Sequence, residues 1–331
     1  MKVFLTNLPE IPQELCALYI NRGMPPLGLG FLAAYLEERG HEVYIHDNLI
    51  EAGSFQERLR EYAPDFIGIY VASVFFVQLG PMIQSIRSVT DVPVICGGPH
   101  ATLMPETIPA AVDYVVRGEG EKALCAIIEG KISDRVVQAE PVADLDSLSW
   151  PDMSRFMDKP YQWGSGIYGL DGKTVSLNTS RGCPFTCSFC SVKSIWGHSY
   201  RTFSARKIID YIMSLQTSFG VKSVFFREDN FTAHTGRLQE FMSLLEKRDT
   251  ALKWACESRV DSLDEKILEK MYACGLRGLY IGVESGSQRV LDLIDKGITV
   301  EKTRKVFAAC RRLGIRTFAS VMYGIPGEEP S

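Results

Sequence analysis

The sequence has neither an apolar run of membrane-spanning length nor an excess of basic residues. A membrane-spanning helix needs about 20 consecutive, mostly apolar residues, and the apolar stretches here are short and interrupted by charge. The 331 residues include 36 Lys and Arg and 40 Asp and Glu, which gives a formal net charge of −4. This balance provides no polycationic face for nucleic acid or an anionic membrane. We therefore expect a cytoplasmic protein that binds neither.

The sequence also lacks the features of an exported, disulfide-stabilised protein. It has nine cysteines, an odd number, and residues 1–7 are typical of a first strand, not of a signal peptide. A reducing compartment is therefore expected. Six cysteines are scattered along the chain, and we interpret them as ordinary core or surface residues: Cys16, Cys96, Cys125, Cys256, Cys274 and Cys310.

Residues 1–145 are predicted to form a first domain in which strands and helices alternate. Short runs rich in Val and Ile are typical of buried parallel strands. Strands are predicted at 2–7, 42–47, 65–72, 92–96 and 112–117, and helices at 27–39, 54–62, 77–89 and 119–129. This alternation predicts an α/β fold with a doubly wound parallel sheet, and five strands favour the flavodoxin-like order.

A second alternating series is predicted over residues 174–331. Residues 146–173 precede it as an ordered connecting segment that is rich in Pro, Trp and Gly and has no clear period. Strands of the second series are predicted at 174–179, 221–228, 252–258, 277–283 and 315–323, and helices at 205–218, 236–248, 264–274, 287–294 and 300–313.

Three cysteines are grouped on the loop after the first strand of this second series. Cys183, Cys187 and Cys190 have the spacing C-x3-C-x2-C. Thiolates are the ligands that iron–sulfur clusters take, so three of them can hold three irons of a 4Fe–4S cluster and leave the fourth open. Structural core cysteines are the alternative, but Pro184, Thr186 and Ser188 make this segment a polar loop and not an apolar strand. We therefore predict a cluster.

This loop resembles the signature of the radical S-adenosylmethionine (SAM) enzymes, which have an aromatic residue, here Phe189, before the last cysteine. The resemblance implies that SAM binds the open iron through its amino and carboxylate groups and that Phe189 lies against the adenine. It also implies that an electron, from a donor such as flavodoxin or ferredoxin, splits SAM into methionine and a 5′-deoxyadenosyl radical. The cofactor would supply the difficult chemistry, and the protein would position it.

The radical SAM barrel usually has six strand–helix units, whereas five are predicted here. We therefore expect a partial β/α barrel whose activity depends on residues beyond 331. An uncovered last strand exposes a backbone edge and an apolar face, which favours aggregation or oligomers through that edge. The exposed part is predicted to include Leu313, Ile315, Phe318 and Val321.

Polar residues recur where successive strands of the second series end. The resemblance implies that Glu228 and Asp229 receive the SAM ammonium, although a helix-capping role is the alternative for Asp229. It also implies that Arg259 pairs with the methionine carboxylate. Glu257 or Ser258 is assigned to the ribose hydroxyls, and Glu284 and Ser285 are assigned to the ribose or the substrate.

Small-residue turns follow three strands of the first series, at the edge where open α/β sheets bind ligands. Adjacent glycines let a backbone approach a flat ligand closely. The turns resemble those of the cobalamin-binding domain that precedes the barrel in cobalamin-dependent radical SAM enzymes. The resemblance implies cobalamin contacts from Ser73, Val74, Gly97, Gly98, Pro99, His100, Ala101, Thr102, Gly118, Glu119 and Gly120.

The motif D-x-H-x-x-G, whose histidine ligates cobalt in many cobalamin domains, is absent from the sequence. The resemblance then implies base-off cobalamin with its lower face unligated or beside Ser73, Val74 or Phe75. For His100, a hydrogen bond to backbone is favoured over cobalt ligation. A dinucleotide site is less well supported, because no G-x-G-x-x-G follows the first strand.

The resemblance favours methyl transfer to an unactivated carbon of a small-molecule substrate. One SAM would methylate cobalamin, a second would yield the radical that removes a substrate hydrogen, and the substrate radical would take the methyl group. Radical cyclisation or rearrangement, as in the anaerobic magnesium-protoporphyrin ester cyclase, is the first alternative. A non-catalytic cobalamin or iron–sulfur binding protein is the second. No catalytic side chain is assigned from the sequence.

Overall fold

The computed structural model describes residues 1–9, 24–51, 55–161, 163, 168–197, 199–248 and 250–328. Two compact units are present, residues 1–161 with 194–196 and residues 162–193 with 197–331. The predicted connecting segment spans the division between them, and its bounds stay a prediction. Cys16, residue 54 of a predicted helix, and residues 162 and 164–167 of that segment lie outside the described residues.

In the first unit, the described strands form a six-stranded parallel sheet in the order β2-β1-β3-β4-β5-β6. The strands are β1 (Lys2–Asn7), β2 (Glu42–His46), β3 (Phe66–Tyr70), β4 (Val94–Gly97), β5 (Tyr114–Arg117) and β6 (Val136–Gln138). The first five have the predicted flavodoxin-like order. The sixth was not predicted, because three residues with only the central one buried give no usable pattern.

Helices of the first unit are amphipathic and cover this sheet. They are α1 (Leu27–Glu37), α2 (Phe55–Tyr62), α3 (Leu79–Arg87), α4 (Pro99–Leu103), α5 (Gly120–Ile128) and α6 (Ser154–Met157), with 3₁₀ turns at Ser73–Gln78, Pro105–Thr107 and Leu145–Ser147. In α3 the buried residues Leu79, Met82, Ile83 and Ile86 follow helical spacing. The sequence missed α4, α6 and the 3₁₀ turns, which are too short to show a period.

A core of fully buried residues from the central strands fixes the carboxyl edge of this first sheet. Phe4, Ile67, Val94 and Val115 have no exposed surface. Central parallel strands are covered on both faces, which explains why their sequences are almost wholly apolar. The turns that leave β3, β4 and β5 therefore start from rigid positions.

In the second unit, the described strands form a five-stranded parallel sheet in the order β13-β12-β11-β10-β7. The strands are β7 (Thr174–Leu177), β10 (Ser223–Phe226), β11 (Lys253–Ser258), β12 (Leu276–Glu284) and β13 (Arg316–Val321). Two short strands, β8 (Ser180–Arg181) and β9 (Arg201–Thr202), form a separate antiparallel pair. The five predicted strands are confirmed, and the order is that of a partial barrel.

Helices between these strands agree closely with those predicted. They are α8 (Ala205–Phe219), α9 (Thr235–Lys247), α10 (Glu265–Ala273), α11 (Gln288–Leu293) and α12 (Val300–Leu313), and a short helix, α7 (Val192–Trp196), follows the cysteine loop. Hydroxyl caps and left-handed glycines mark their ends: Ser204 accepts from the Lys207 N–H, and Gly220 ends α8. In the described part of the chain, no helix is long and apolar enough to span a membrane.

The last strand, β13, is the exposed edge of the second sheet. Phe318 and Val321 are 48% and 49% exposed, as predicted, and Leu313 is half-buried. The prediction that Ile315 is exposed is wrong, because only 4% of its surface is accessible. Its N–H donates to the Cys310 carbonyl at 2.9 Å. An apolar residue that follows a glycine-ended helix commonly packs back against that helix.

Candidate cluster and cofactor sites

The three grouped cysteines lie between β8 and α7, on a loop held by backbone hydrogen bonds. The Cys190 N–H donates to the Cys187 carbonyl at 3.1 Å, and the Ser188 N–H donates to the Ile294 carbonyl at 3.0 Å. All three thiols are free; Cys187 is buried, and Cys183 and Cys190 are half-buried. Burial raises the pKa of the Cys183 thiol. Three thiols on one anchored loop fit a 4Fe–4S cluster with one open iron.

Arg259, at the end of β11, is buried against this loop. Its Nη1 donates to the Cys187 sulfur at 3.0 Å, and its guanidinium lies 3.8 Å from the Phe185 ring centroid. Nε and Nη2 each donate to one carboxylate oxygen of Asp261 at 3.0 Å. Because Asp261 occupies the guanidinium fork, the geometry favours a role in holding Cys187. The assignment of Arg259 to the SAM carboxylate stays a prediction.

Glu228, at the end of β10, is fully enclosed by protein partners. Its Oε1 accepts from the Thr179 hydroxyl at 2.6 Å and lies 3.7 Å from Arg237 Nη2, while Oε2 accepts from the Ser180 hydroxyl. Burial raises the pKa of this carboxyl, and Arg237 opposes the rise. Its oxygens therefore tie the cysteine-bearing segment to β10, and its proposed contact with the SAM ammonium stays a prediction.

Asp229 and Glu257 are the carboxylates that remain available at the ends of β10 and β11. Burial raises the pKa of Asp229 to about 6, with a further contribution from Glu228. Burial also raises the pKa of Glu257 to about 7; Arg227 opposes this rise, and Asp229 and Glu228 add to it. Neighbouring carboxyls with raised pKa values are stabilised in their charged form by an added cation. This pair fits the ammonium group of SAM.

A buried chain of hydroxyl and amide groups lies beside these carboxylates. The Thr232 and Ser258 hydroxyls are 2.6 Å apart, and Thr232 Oγ1 donates to Asn230 Oδ1 at 3.0 Å. The Tyr200 hydroxyl donates to the Asn230 carbonyl at 2.9 Å. The buried Asn230 Nδ2 has no hydrogen-bond partner among the described residues, and such an orphan donor is a feature of ligand sites. Ser258 is thus bonded within the protein, and its ribose contact stays a prediction.

Glu284, which ends β12, is held in a left-handed conformation by a buried ion pair. Its φ is 63°, and its Oε1 is 2.7 Å from Lys296 Nζ. A Cβ at Gly282 would lie 2.5 Å from that oxygen, so a larger residue there would displace the ion pair. Strain of this kind in a non-glycine residue is concentrated at functional sites. The Ser285 hydroxyl accepts from the Ser287 N–H at 3.1 Å, and the ribose or substrate roles of both residues stay predictions.

Phe189 lies at the open side of the same site. Its ring is 44% exposed, and Lys296 Nζ lies 5.6 Å from the ring centroid. An exposed ring next to the cluster cysteines suits stacking against an adenine. Sequence reasoning missed Thr179, Arg237 and Lys296, because Thr179 and Arg237 lie 58 residues apart and Lys296 lies 12 residues from Glu284.

In the first unit, His100 joins two of the predicted cobalamin turns. Its Nδ1 is 3.0 Å from the Ser73 hydroxyl, its Nε2 is 2.9 Å from the Thr107 hydroxyl, and its ring stacks on Phe76 at 3.9 Å. The expected backbone partner is therefore replaced by two hydroxyl groups. Because both ring nitrogens are engaged, this conformation favours a hydrogen-bonding role for His100 over cobalt ligation, and that choice stays a prediction.

Thr102 joins the remaining turns. Its hydroxyl donates to the Gly98 carbonyl at 2.9 Å and accepts from the Gly118 N–H at 2.9 Å. We call residues 73–76, 97–102 and 118–120 the carboxyl shelf, because all follow the ends of β3, β4 and β5. Gly98 has φ 98°, and a Cβ there would lie 2.9 Å from the Tyr70 ring. Only glycine fits this turn without strain.

The carboxyl shelf presents small and apolar groups. Val74 is 41% exposed, whereas Ala101 and Glu119 are buried. A Glu119 oxygen accepts from the Val142 N–H at 3.2 Å, so this carboxylate serves the fold. Pro99 and Gly120 are half-buried at the shelf. Such a surface fits a broad, flat ligand, and individual contacts with cobalamin stay predictions.

Both units match known families. Residues 177–331 match the radical SAM superfamily, and residues 18–128 match the B12 binding domain. This chain combines a radical SAM domain with a B12 binding domain. Its radical SAM domain uses a 4Fe–4S cluster and SAM, and its other domain binds cobalamin.

Curated relatives of this radical SAM protein include methyltransferases and a cyclase. An uncharacterized methyltransferase of Pyrococcus horikoshii is 29% identical over 355 residues, covering 99% of this chain and 75% of the relative. The anaerobic magnesium-protoporphyrin IX monomethyl ester cyclase of Rubrivivax gelatinosus is 29% identical over 337 residues, covering 92% of this chain and 60% of the cyclase. The chain thus spans three quarters or less of these relatives.

A solved radical SAM structure shares the fold of nearly the whole chain. The methyltransferase TsrM from Kitasatospora setae, solved with its tryptophan substrate and a SAM analogue, superposes with a TM-score of 0.77. The two sequences are 22% identical, and the match covers 99% of this chain and 68% of TsrM. This likeness supports the two-domain α/β architecture.

Proposed function

We propose that this radical SAM enzyme transfers a methyl group to an unactivated carbon of a small molecule. One observation carries the proposal: the same chain has the cysteine loop and the carboxyl shelf. At the shelf, both ring nitrogens of His100 are already hydrogen-bonded. When bound, the cluster and SAM supply reductive cleavage of SAM, and cobalamin supplies a transferable methyl group. The methyltransferases among the relatives support this reading.

The residues of the second unit bind and orient SAM in this proposal. Cys183, Cys187 and Cys190 hold three irons and leave one for SAM. The exposed Asp229 and the half-buried Glu257 receive the ammonium, because both have raised pKa values and a cationic partner favours their charged forms. Phe189 offers its exposed face to the adenine. These contacts fix one geometry for SAM before reduction, which is the protein's part in a cofactor reaction.

The first unit holds cobalamin on the carboxyl shelf in this proposal. Hydrogen bonds between His100 and the Ser73 and Thr107 hydroxyls keep the imidazole turned into the protein. The exposed Val74 would offer cobalamin an apolar contact. Cobalamin held here without a strong donor from the protein would supply a methyl group for transfer.

Isotope tracing tests the reaction class. The anaerobic, reconstituted enzyme is incubated with cobalamin, a reductant and SAM bearing a deuterated methyl group, together with a panel of candidate small molecules. We expect a product heavier by one labelled methyl group, together with 5′-deoxyadenosine. A product with a new ring and no label would contradict methyl transfer. If protein with a full, reducible cluster forms no 5′-deoxyadenosine, a non-catalytic binding protein is favoured instead.

Radical cyclisation is the second candidate, and one observation favours it. The Rubrivivax gelatinosus cyclase is as similar in identity, 29%, as the Pyrococcus horikoshii methyltransferase. The labelled-methyl experiment separates the two classes, because only methyl transfer moves deuterium into the product.

The electron donor in this proposal is a small flavodoxin or ferredoxin. A radical SAM cluster must receive one electron for each reductive cleavage of SAM. Cleavage of SAM by reduced flavodoxin or ferredoxin is compared with cleavage by a chemical reductant. Turnover with the chemical reductant alone would reject these proteins as donors.

A further inference from the structure

A second group of metal-ligand side chains lies in the first unit, away from the carboxyl shelf. One ligand atom each from His41, Cys125 and Glu129 lies within 4.8 Å of the other two. His41 comes immediately before β2, and Cys125 lies on α5. In the part of the chain that the structure describes, no other His, Cys, Asp and Glu side chains form such a group.

The local fold explains why these three donors meet. Cys125 and Glu129 are four residues apart at the end of α5, so they lie on the same helix face. His41 follows the last turn of α1, and its Nε2 is 4.0 Å from the Cys125 sulfur. The other ring nitrogen, Nδ1, is buried and has no hydrogen-bond partner among the described residues. An imidazole in this position is not explained by hydrogen bonding alone.

We propose that His41, Cys125 and Glu129 bind a single Zn²⁺ ion at the amino-terminal edge of the first sheet. Sulfur, imidazole and carboxylate are the protein ligands that zinc takes, and three of them leave a fourth position for water. Glu129 is exposed and Cys125 is buried, so the ion would lie at the surface with one open side. The site is also at the carboxyl end of α5, where the helix dipole favours a cation.

Two basic side chains, Lys131 and Arg39, lie close enough to this site to be considered as competitors of the metal. Lys131 Nζ lies 2.6 Å from Glu129 Oε2 in an exposed ion pair, and it would compete with the metal for that oxygen. Arg39 is directed elsewhere, since its guanidinium lies 3.5 Å from the Tyr35 ring centroid and donates to the Tyr35 carbonyl. The alternative is a purely hydrogen-bonded cluster, in which the Glu129 carboxylate accepts from the Cys125 thiol.

Zinc binding is measured on the full chain with its iron–sulfur cluster in place, so that the cysteine loop is occupied. Equilibrium dialysis should show one Zn²⁺ per chain. Cys125→Ala and His41→Ala should each weaken binding at least about tenfold, since even outer-shell changes cost that much. Cys310→Ala, which removes a buried cysteine of α12, should bind like wild type. Lys131→Ala should bind more tightly, because a competitor is removed.

X-ray absorption at the zinc edge then identifies the ligands without interference from iron. One sulfur at about 2.3 Å, with nitrogen and oxygen at about 2.0–2.2 Å, is expected. Three or more sulfur neighbours would place the zinc in the cysteine loop and overturn the proposal. Equal affinity of Cys125→Ala and Cys310→Ala would overturn it as well. Unchanged affinity of Glu129→Gln would remove Glu129 from the ligand set and reject the site as stated.

Discussion

The carboxyl edges of the two parallel sheets use opposite chemistry. At the second sheet, charged side chains converge: Arg259 on Cys187, Arg237 on Glu228 and Lys296 on Glu284. At the first sheet, neutral hydroxyl groups and glycines form the carboxyl shelf, and Thr102 joins its turns. Both edges start from buried strands of the same type.

The difference follows from what each edge has to hold. A thiolate-ligated cluster and a zwitterionic ligand need charges that are fixed in low-dielectric surroundings, and buried charges are stable only when paired. A broad ring system needs close backbone approach and few desolvated charges. The edge of a parallel sheet thus supplies a place for a ligand, and the loops supply its chemistry.

The largest expected effect is loss of the cluster from the second edge alone. Replacing Cys183, Cys187 and Cys190 by alanine should reduce iron from about four per chain to none, because these are the thiolates that we propose as its ligands. Cobalamin binding should persist. Iron analysis and visible absorbance measure both, with Cys310→Ala as the matched control. Stoichiometric iron in the triple variant would show that other residues bind the cluster.

A substitution at the carboxyl shelf should remove cobalamin and leave the cluster in place. A Cβ at Gly97 makes no contact shorter than 3.9 Å, so the backbone there accommodates a side chain, and the larger side chain of Gly97→Leu should take up space at the shelf. We expect loss of bound-cobalamin absorbance with iron retained. Gly98→Ala serves as a contrast, because its φ of 98° and its 2.9 Å contact with Tyr70 predict reduced stability instead. Full cobalamin retention by a folded Gly97→Leu variant would reject the shelf as the binding surface.

Breaking a buried ion pair should destabilise the second edge strongly. Lys296→Met leaves the Glu284 carboxylate buried without its partner, at an expected cost of about 3–5 kcal/mol in the free energy of unfolding. Adding Glu284→Gln should recover part of this loss, since no charge then remains. Urea unfolding of the wild type, the two single variants and the double variant measures these free energies. Lys305→Met, in an exposed pair with Glu301, is the control and should change little.

Breaking the neutral hydrogen bonds of Thr102 at the carboxyl shelf should lower the free energy of unfolding by less than breaking the buried ion pair. Thr102→Val keeps the side-chain shape but leaves the Gly98 carbonyl and the Gly118 N–H without their partner. The expected loss is about 1–3 kcal/mol in the free energy of unfolding. Thr217→Val, on the exposed face of α8, is the control. Equal stability of the two variants would mean that these hydrogen bonds do not hold the turns together.

The smallest expected effect is a pH dependence. The pKa of Glu257 is raised by burial to about 7 from an ordinary 4.5, so the folded state binds a proton more tightly than the unfolded state. Its contribution to stability is therefore greatest below pH 4.5 and is lost as the pH rises to about 7. Glu257→Gln should flatten this part of the urea-unfolding profile. Exposed Glu240→Gln should follow wild type, and identical profiles for all three proteins would contradict the assignment.

Most of the fold was predictable from local pattern. The five-strand order of the first sheet and the five strands of the second follow from short apolar runs and from glycine and hydroxyl caps, which act within a few residues. The elements that were missed, such as β6 and α4, are three to five residues long. Segments of that length have no period, and long-range pairing stabilises them.

The sequence by itself determined that Cys183, Cys187 and Cys190 lie together, because they share one short loop, and their role as cluster ligands stays a prediction. It also identified the glycine turns of the shelf, whose conformation is a local property. Only the tertiary structure decided which charges are paired: Arg259 with Asp261 and Cys187, and Glu228 with Thr179, Ser180 and Arg237. These partners come from different strands and helices, and packing of the chain chooses among many possible pairs. The meeting of His41 with Cys125, 84 residues apart, has the same cause.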